Sequence, residues 1–367
     1  MINSRQQAAG SRQLAGDCPN FRLRENGTVP FACDAFASSR LRVFALKRRA
    51  FTLVELLVVI VILGILAGLI TAAAIPAVRA ARRTTILGEI TQLNMALERY
   101  KQEHGEYPPD FCGINVQDVN GNYPAREAIL RHLRKAFRHY RLTGDAAARW
   151  TQFRLNVKQC SSGDATLTDA DSNDGMDVND MTPASALTFW LVGPTAPPGS
   201  STKLIPFSAD SANPFAIGGS RLEPFFAFNE DRLVRRENDD PDWPDRYAYY
   251  YKPPHVKDPA GGPDTPPYVY FRARNDKYET VQQFDWPLDT PTTHCVPYIK
   301  TTITTATTTT DVWFNPDTAQ IICCGLDGLY SPENGAAGGR IGNLTPEEDD
   351  NLTNFSKGEL GDWNEEK

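Results

Sequence analysis

One carboxylate in this chain stands where its surroundings demand an explanation. Residues 51–68 read FTLVELLVVIVILGILAG, and after Glu55 no ionisable side chain occurs until Arg79. A charge inside hydrocarbon costs about 2.5–3.5 kcal/mol at mid-membrane, less near the interface, and such residues usually have a partner. Glu55 is therefore a candidate functional residue that needs a cation; a carboxylate merely tolerated at the interface is the plainer reading. A second candidate is rich in oxygen. Asp169, Asp171, Asn173, Asp174 and Asp177 surround Gly175, a pattern that suits calcium, which takes six to eight oxygens, or a solvated loop. It departs from an EF-hand, because one residue too many precedes the glycine and no glutamate closes the loop. His132 and His139 could share a helix face, but no third ligand accompanies them, so surface placement is expected. Gly-x-Ser-x-Gly and His-Glu-x-x-His are absent from the sequence, and the glycine-rich stretch 335–342 lacks the Lys-Ser/Thr of a phosphate loop.

The element that positions Glu55 is legible in hydropathy. Residues 56–78 are apolar on every side, and about 20 such residues span a bilayer as a helix. Arg40, Arg42, Lys47, Arg48 and Arg49 precede the run, whereas Arg79, Arg82 and Arg83 follow it. That asymmetry favours a cytoplasmic N-terminus. A secretory signal cleaved near Ala72–Ala74 is the alternative. Further on, Ile86, Ile90, Leu93, Leu97 and Tyr100 recur at alternating steps of four and three, which is one face of an amphipathic helix over 79–104. Gly105 and the prolines at 108 and 109 stop it.

The order Arg48-Arg49-Ala50-Phe51-Thr52-Leu53-Val54-Glu55-Leu56-Leu57 resembles the leader junction of the type IV pilin and type II secretion pseudopilin family. The resemblance implies that a prepilin peptidase cuts between Ala50 and Phe51 and methylates the new amine. It makes Glu55 the fifth residue of the mature chain, which in that family pairs with the N-terminal amine of a neighbouring subunit during assembly. Ala50 stands where the family usually carries Gly, and Pro76 lies about one helical turn later than the family's proline. Residues 100–108, Tyr-Lys-Gln-Glu-His-Gly-Glu-Tyr-Pro, resemble the helix-to-loop junction of the major pseudopilin. Residues 315–328, ending in Gly325-Leu326-Asp327-Gly328, resemble its final strand and loop when taken with 347–353. That likeness implies a structural calcium site with Asp327 and Asp350 as ligands and Asp349 and Asn351 next to them. Residues 331–346 intervene, a longer spacing than the family's.

Charge divides the chain in the same place. The first 50 residues hold nine Lys/Arg and three Asp/Glu, leaving 29 basic and 42 acidic residues beyond them. An acidic exported part argues against binding nucleic acid through its phosphates. Five of the seven cysteines lie there, at 112, 160, 295, 323 and 324, without a zinc spacing. Some are expected to pair outside the cytoplasm, with unreadable connectivity. Residues 125–140 are basic and periodic, with Ile129, Leu133, Ala136, Phe137 and Tyr140 on one face. They predict a second helix whose charges are a solvated face rather than a site for an anionic partner. A short helix is expected at 183–192, mostly irregular chain at 193–267 with strands such as 247–251, and strands at 268–272, 301–313 and 320–323. A flexible linker or glycosylated segment is the less favoured reading of the Thr-rich run at 301–313.

The expected fold is α+β and pilin-like: a long N-terminal helix packed on an antiparallel sheet with long inserted loops. Its parts are a removed leader (1–50), a transmembrane helix (51–78), an amphipathic continuation (79–104) and an exported domain (105–367). The function that follows is a structural subunit of a type II secretion pseudopilus or related filament, not an enzyme. It would sit in the inner membrane, single-pass, with its C-terminal domain outside the cytoplasm. Its implied partners are the prepilin peptidase, other pilin-like subunits and an inner-membrane assembly platform. The alternatives are a minor or competence pilin with an adhesive role, and an anchored extracytoplasmic enzyme or binding protein.

Overall fold

The computed structural model describes residues 52–168, 175–235, 248–256, 265–275, 277–278, 282–286, 293–305, 308–331, 339–341 and 344–362. Ala50, Phe51, the leader, Asp169–Asp174 and most of the glycine-rich stretch lie outside the described residues. The chain divides into two compact units, Met1–Leu63 and Gly64–Lys367.

Helix α1 (Leu53–His104) runs for 52 residues with Pro76 inside it. Its large apolar side chains from Leu53 to Val78 are exposed, and it is long and apolar enough to cross a membrane. Farther along, the amphipathic face is buried as its spacing requires: Ile86, Leu93 and Leu97 are fully enclosed, with Ile90 and Tyr100 beside them. Burying each such aliphatic side chain stabilises by about 1.5–3 kcal/mol.

What that face packs on is built from α2 (Pro124–Ala136), α3 (Ala146–Ser162), α4 (Pro183–Leu191) and a small sheet. In α4 every residue is buried, and Pro183 occupies its first turn. The helix α2 ends earlier than the periodicity predicts, yet Phe137 and Tyr140 still enter the core from the turn behind it. Helix α3 has no counterpart among the elements expected from the sequence. Asp145 caps its N-terminus by accepting from Ala148 N, and Gly163, in the left-handed region, ends it.

The strands are β1 (Leu233–Val234), β2 (Tyr250–Tyr251), β3 (Val269–Arg272), β4 (Phe284–Trp286), β5 (Thr293–Cys295), β6 (Ile299–Thr304), β7 (Thr309–Trp313), β8 (Ala319–Cys323) and β9 (Leu352–Thr353). All described strand pairs are antiparallel, and the largest sheet has the order β3-β8-β9. Because side chains alternate along a strand, Tyr268, Tyr270, Ile321 and Cys323 face the helices, whereas Val269, Phe271, Ile322 and Cys324 face a second core containing Phe284, Trp286 and Tyr330. The Thr-rich run is neither one strand nor a linker but the hairpin β6–β7. The expected cysteine pairing is also corrected: all five described cysteines are buried free thiols.

Candidate functional site

At the start of α1, Glu55 and Thr52 cap the helix for each other. The Glu55 carboxylate accepts from the Thr52 backbone N–H (3.1 Å) and hydroxyl (3.2 Å), while Thr52 Oγ1 accepts from Glu55 N (3.1 Å). Thr-x-x-Glu is the sequence of a capping box, a signal that the apolar surroundings hid. The carboxylate is thereby held at the helix N-terminus, where the free N–H groups and the helix dipole favour negative charge.

Two more carboxylates join α1 and the loop behind it to the domain. Glu89 accepts from Tyr251 (2.9 Å) and Tyr268 (2.7 Å) and pairs with Arg232, so one helical side chain clamps β2, the start of β3 and the turn before β1. Glu106 receives His132 Nδ1 (2.7 Å) and Arg272 (3.2 Å), and the other ring nitrogen of His132 meets the Tyr100 hydroxyl at 2.8 Å. The hydrogen bond from His132, with Arg272 behind it, lowers the Glu106 carboxyl to about 2. Burial in turn lowers the pKa of His132. The expectation of surface placement therefore holds for His139, which is exposed, and fails for His132, which is fully buried. Its neighbours Arg131 and Arg134 made it look like part of a charged face. The spacing from Ile129 places it on the buried one.

The third site lies where β8 turns. Gly325 has φ +67°, and a Cβ there would lie 1.9 Å from Asp350 Oδ1. Only glycine lets the Asp350 carboxylate lie across this turn. Its Oδ2 accepts from Leu326 N (2.7 Å) and Asp327 N (3.2 Å), and Asp327 Oδ1 accepts from Leu329 N (2.8 Å). Asp350 Oδ1 is buried and has no partner among the described residues. Burial, with the nearby Asp350 charge, pushes Asp327 up to about 7, and burial also raises Asp350. Asp349 is exposed. Asn351 is enclosed and donates to the Tyr298 hydroxyl (2.9 Å) and Tyr330 carbonyl (3.3 Å), while its Oδ1 has no partner among the described residues.

Residues that sequence reasoning left aside complete this corner. Glu348 is buried and accepts from Gly339 N and Thr345 N, both at 2.9 Å. Arg83 of α1 reaches Glu359 at 2.5 Å and lies near Asp350. Among the described residues no three His, Cys, Asp or Glu side chains converge as a metal cluster. A cation at Asp327 and Asp350 would draw the rest of its shell from other oxygens. In the other oxygen-rich stretch, Asp177 is described, and Arg154 holds its carboxylate at 2.8 and 3.1 Å.

Residues 46–71 match the family described as the prokaryotic N-terminal methylation motif. The type II secretion system core protein G of Pectobacterium carotovorum is 37% identical over 92 residues, 23% of this chain and 59% of that protein. The core protein G of Klebsiella pneumoniae is 39% identical over 70 residues, 19% of this chain and 50% of that protein. That of Pseudomonas aeruginosa is 36% identical over 78 residues, 21% of this chain and 55% of that protein. The chain thus spans about half the length of the curated relatives it matches. No solved structure matches it. The chain carries a prokaryotic N-terminal methylation motif and is similar, over about a fifth of its own length, to the core protein G of type II secretion systems.

Proposed function

We propose that this chain is a structural subunit of a type II secretion pseudopilus or a related filament. It would be cut before Phe51, methylated there, and assembled from the inner membrane through α1 with its C-terminal domain outside the cytoplasm. The observation that carries this reading is the two-part helix: a fully exposed apolar half headed by a capped carboxylate continues into a half with one face buried in its own domain. Such a helix serves lipid first and the apolar helices of neighbouring copies afterwards. Glu55 would exchange part of its capping contact for the amine of the next subunit, a cation that offsets the cost of a carboxylate in hydrocarbon. Prepilin peptidase, like subunits and an inner-membrane assembly platform are the partners implied.

The test is intact mass and N-terminal peptide analysis of the protein from its native membranes. A start at Phe51 with one added methyl supports the proposal; an uncut chain, or a cut beyond Ala72, sinks it. Glu55→Gln should abolish filaments while leaving the membrane anchor intact, and an anchored enzyme would be indifferent to the change.

The Asp327–Asp350 corner is proposed as a calcium site within this subunit. The unpartnered Oδ1 of Asp350, the glycine that makes room for it and the raised carboxyls fit a divalent cation. Bound there, calcium would supply positive charge and tie the β8 turn to residues 349–351.

A further inference from the structure

The exported unit carries opposite charge at the two ends of the helix it is built on. Near His104, the buried side of α2 touches the last turns of α1 through Tyr100–His132 and through Lys135, which donates to Gly105 O at 3.3 Å. On the opposite side, Arg131 and Arg134 are exposed on α2, and Arg138 and Arg141 are exposed in the turn and loop behind its end, so an arginine-rich stripe of chain borders this end of the unit. Among the described residues none of the four has an ion-pair partner. This is unusual in a chain with 42 acidic and 29 basic residues beyond position 50. At the other end, beside Arg83, the carboxylates of Asp327, Glu347, Asp349, Asp350, Glu359 and Asp362 gather. Asp327, Asp349 and Asp362 are exposed, and Arg83 is engaged with Glu359. About 30 Å of helix separates Arg83 from His104 at 1.5 Å per residue.

We propose that these two ends dock on one another between copies of this chain. The arginine stripe of one subunit would meet the acidic corner of the copy displaced by about 30 Å along parallel helices. The inference rests on the filament reading above and adds to it a contact made by the exported unit. A head-to-tail contact between different surfaces repeats without closing, which is the geometry of a filament rather than a closed dimer. Charge complementarity of this kind fixes register and suppresses wrong pairings. Anionic lipid is the weaker occupant, because α2 lies about 40 Å of helix beyond Val78, the end of the apolar run. Nucleic acid would have to approach an exported part whose overall charge repels phosphate.

The experiment is a charge swap in the full chain, assembled in its native membranes and scored by filament yield. Arg134→Glu with Arg138→Glu should lower the yield about tenfold, and Asp349→Lys with Asp362→Lys should do the same. Combining all four changes should restore assembly, and with calcium chelated the thermal midpoints of the unassembled variants should match that of the natural chain, so that loss of the metal is not mistaken for loss of the contact. If the natural chain assembles and either reversal leaves the yield unchanged, the docking is overturned and the filament reading stands. The docking is likewise overturned if the reversals lower the yield but the swap does not restore it, since the stripe then serves some other acidic surface. If the natural chain forms no filaments at all, the filament reading itself has failed, and this inference falls with it.

Discussion

Glu106 and Asp350 are both carboxylates pressed against the same domain, and the chain treats them in opposite ways. Glu106 is met by His132, Arg272 and Lys135, and its carboxyl falls to about 2. Asp350 is met by two backbone N–H groups and a second carboxylate; one of its oxygens is buried and bare, and its carboxyl rises. The first network is complete within the chain. Among the described residues, the second has only Arg83 nearby as positive charge, and that guanidinium is engaged with Glu359. A satisfied buried charge holds a fold together, whereas an unsatisfied one points outward, to an ion or a partner.

The largest expected effect comes from breaking the complete network. His132→Ala should destabilise the protein by about 3–4 kcal/mol, because it opens a cavity beneath Trp190 and leaves the Tyr100 hydroxyl and Glu106 without their shared partner. Urea unfolding of the detergent-solubilised chain would measure it. A cost below about 1 kcal/mol would mean that the network is incidental.

Sequence and structure agree most where one periodicity acts alone. The face of α1 is legible because Ile86, Ile90, Leu93, Leu97 and Tyr100 form an unbroken apolar stripe, and all are buried. Helix α3 is hard to read although Trp150, Phe153, Val157 and Cys160 make a comparable stripe, since Arg149, Arg154 and Lys158 interrupt it. Its better signals are the ends, Asp145 and Gly163. The strands β4 and β5, three residues each, are too short to carry a period. Of the candidate sites, the Gly325-Leu326-Asp327-Gly328 turn and Asp350 are visible in the sequence, and the fold brings them together. Arg83 and Glu359 are not, because they reach this corner only through tertiary packing, and Glu348, two residues before Asp350, is hidden by the acidic run it stands in.

The two networks should also answer pH in opposite directions. Glu106 is lowered from 4.5 to about 2, so its contribution is present above 4.5 and is lost as pH falls through 2. Asp327 is raised from 3.8 to about 7, so its contribution is present below 3.8 and is lost as pH rises through 7. Asp327 stands partly in solvent, which reduces the loss to about 1 kcal/mol, or a few degrees in thermal midpoint. With calcium bound the raised carboxyl should return toward its ordinary value, and the loss between pH 5 and 8 should vanish. Melting curves with and without the metal across that range test this. Equal slopes in both would remove the case for a cation at this corner.

The smallest effect sharpens the comparison most. Asp350→Asn keeps an oxygen that can accept from Leu326 N and Asp327 N but removes the charge that adds to burial in raising Asp327. Without metal at pH 8 the variant should therefore be more stable than the natural chain by about 0.5–1 kcal/mol, the usual scale for relieving a partly exposed charge contact. Its Asp327 carboxyl should move back down, flattening the pH slope, and calcium should no longer raise its melting temperature. The amide nitrogen still has to fit over Gly325, where there is no room for a Cβ, so a small loss would signal crowding. A loss of several kcal/mol, equal to that of His132→Ala, would place Asp350 among the groups that complete the fold. The contrast between the two networks would then be wrong.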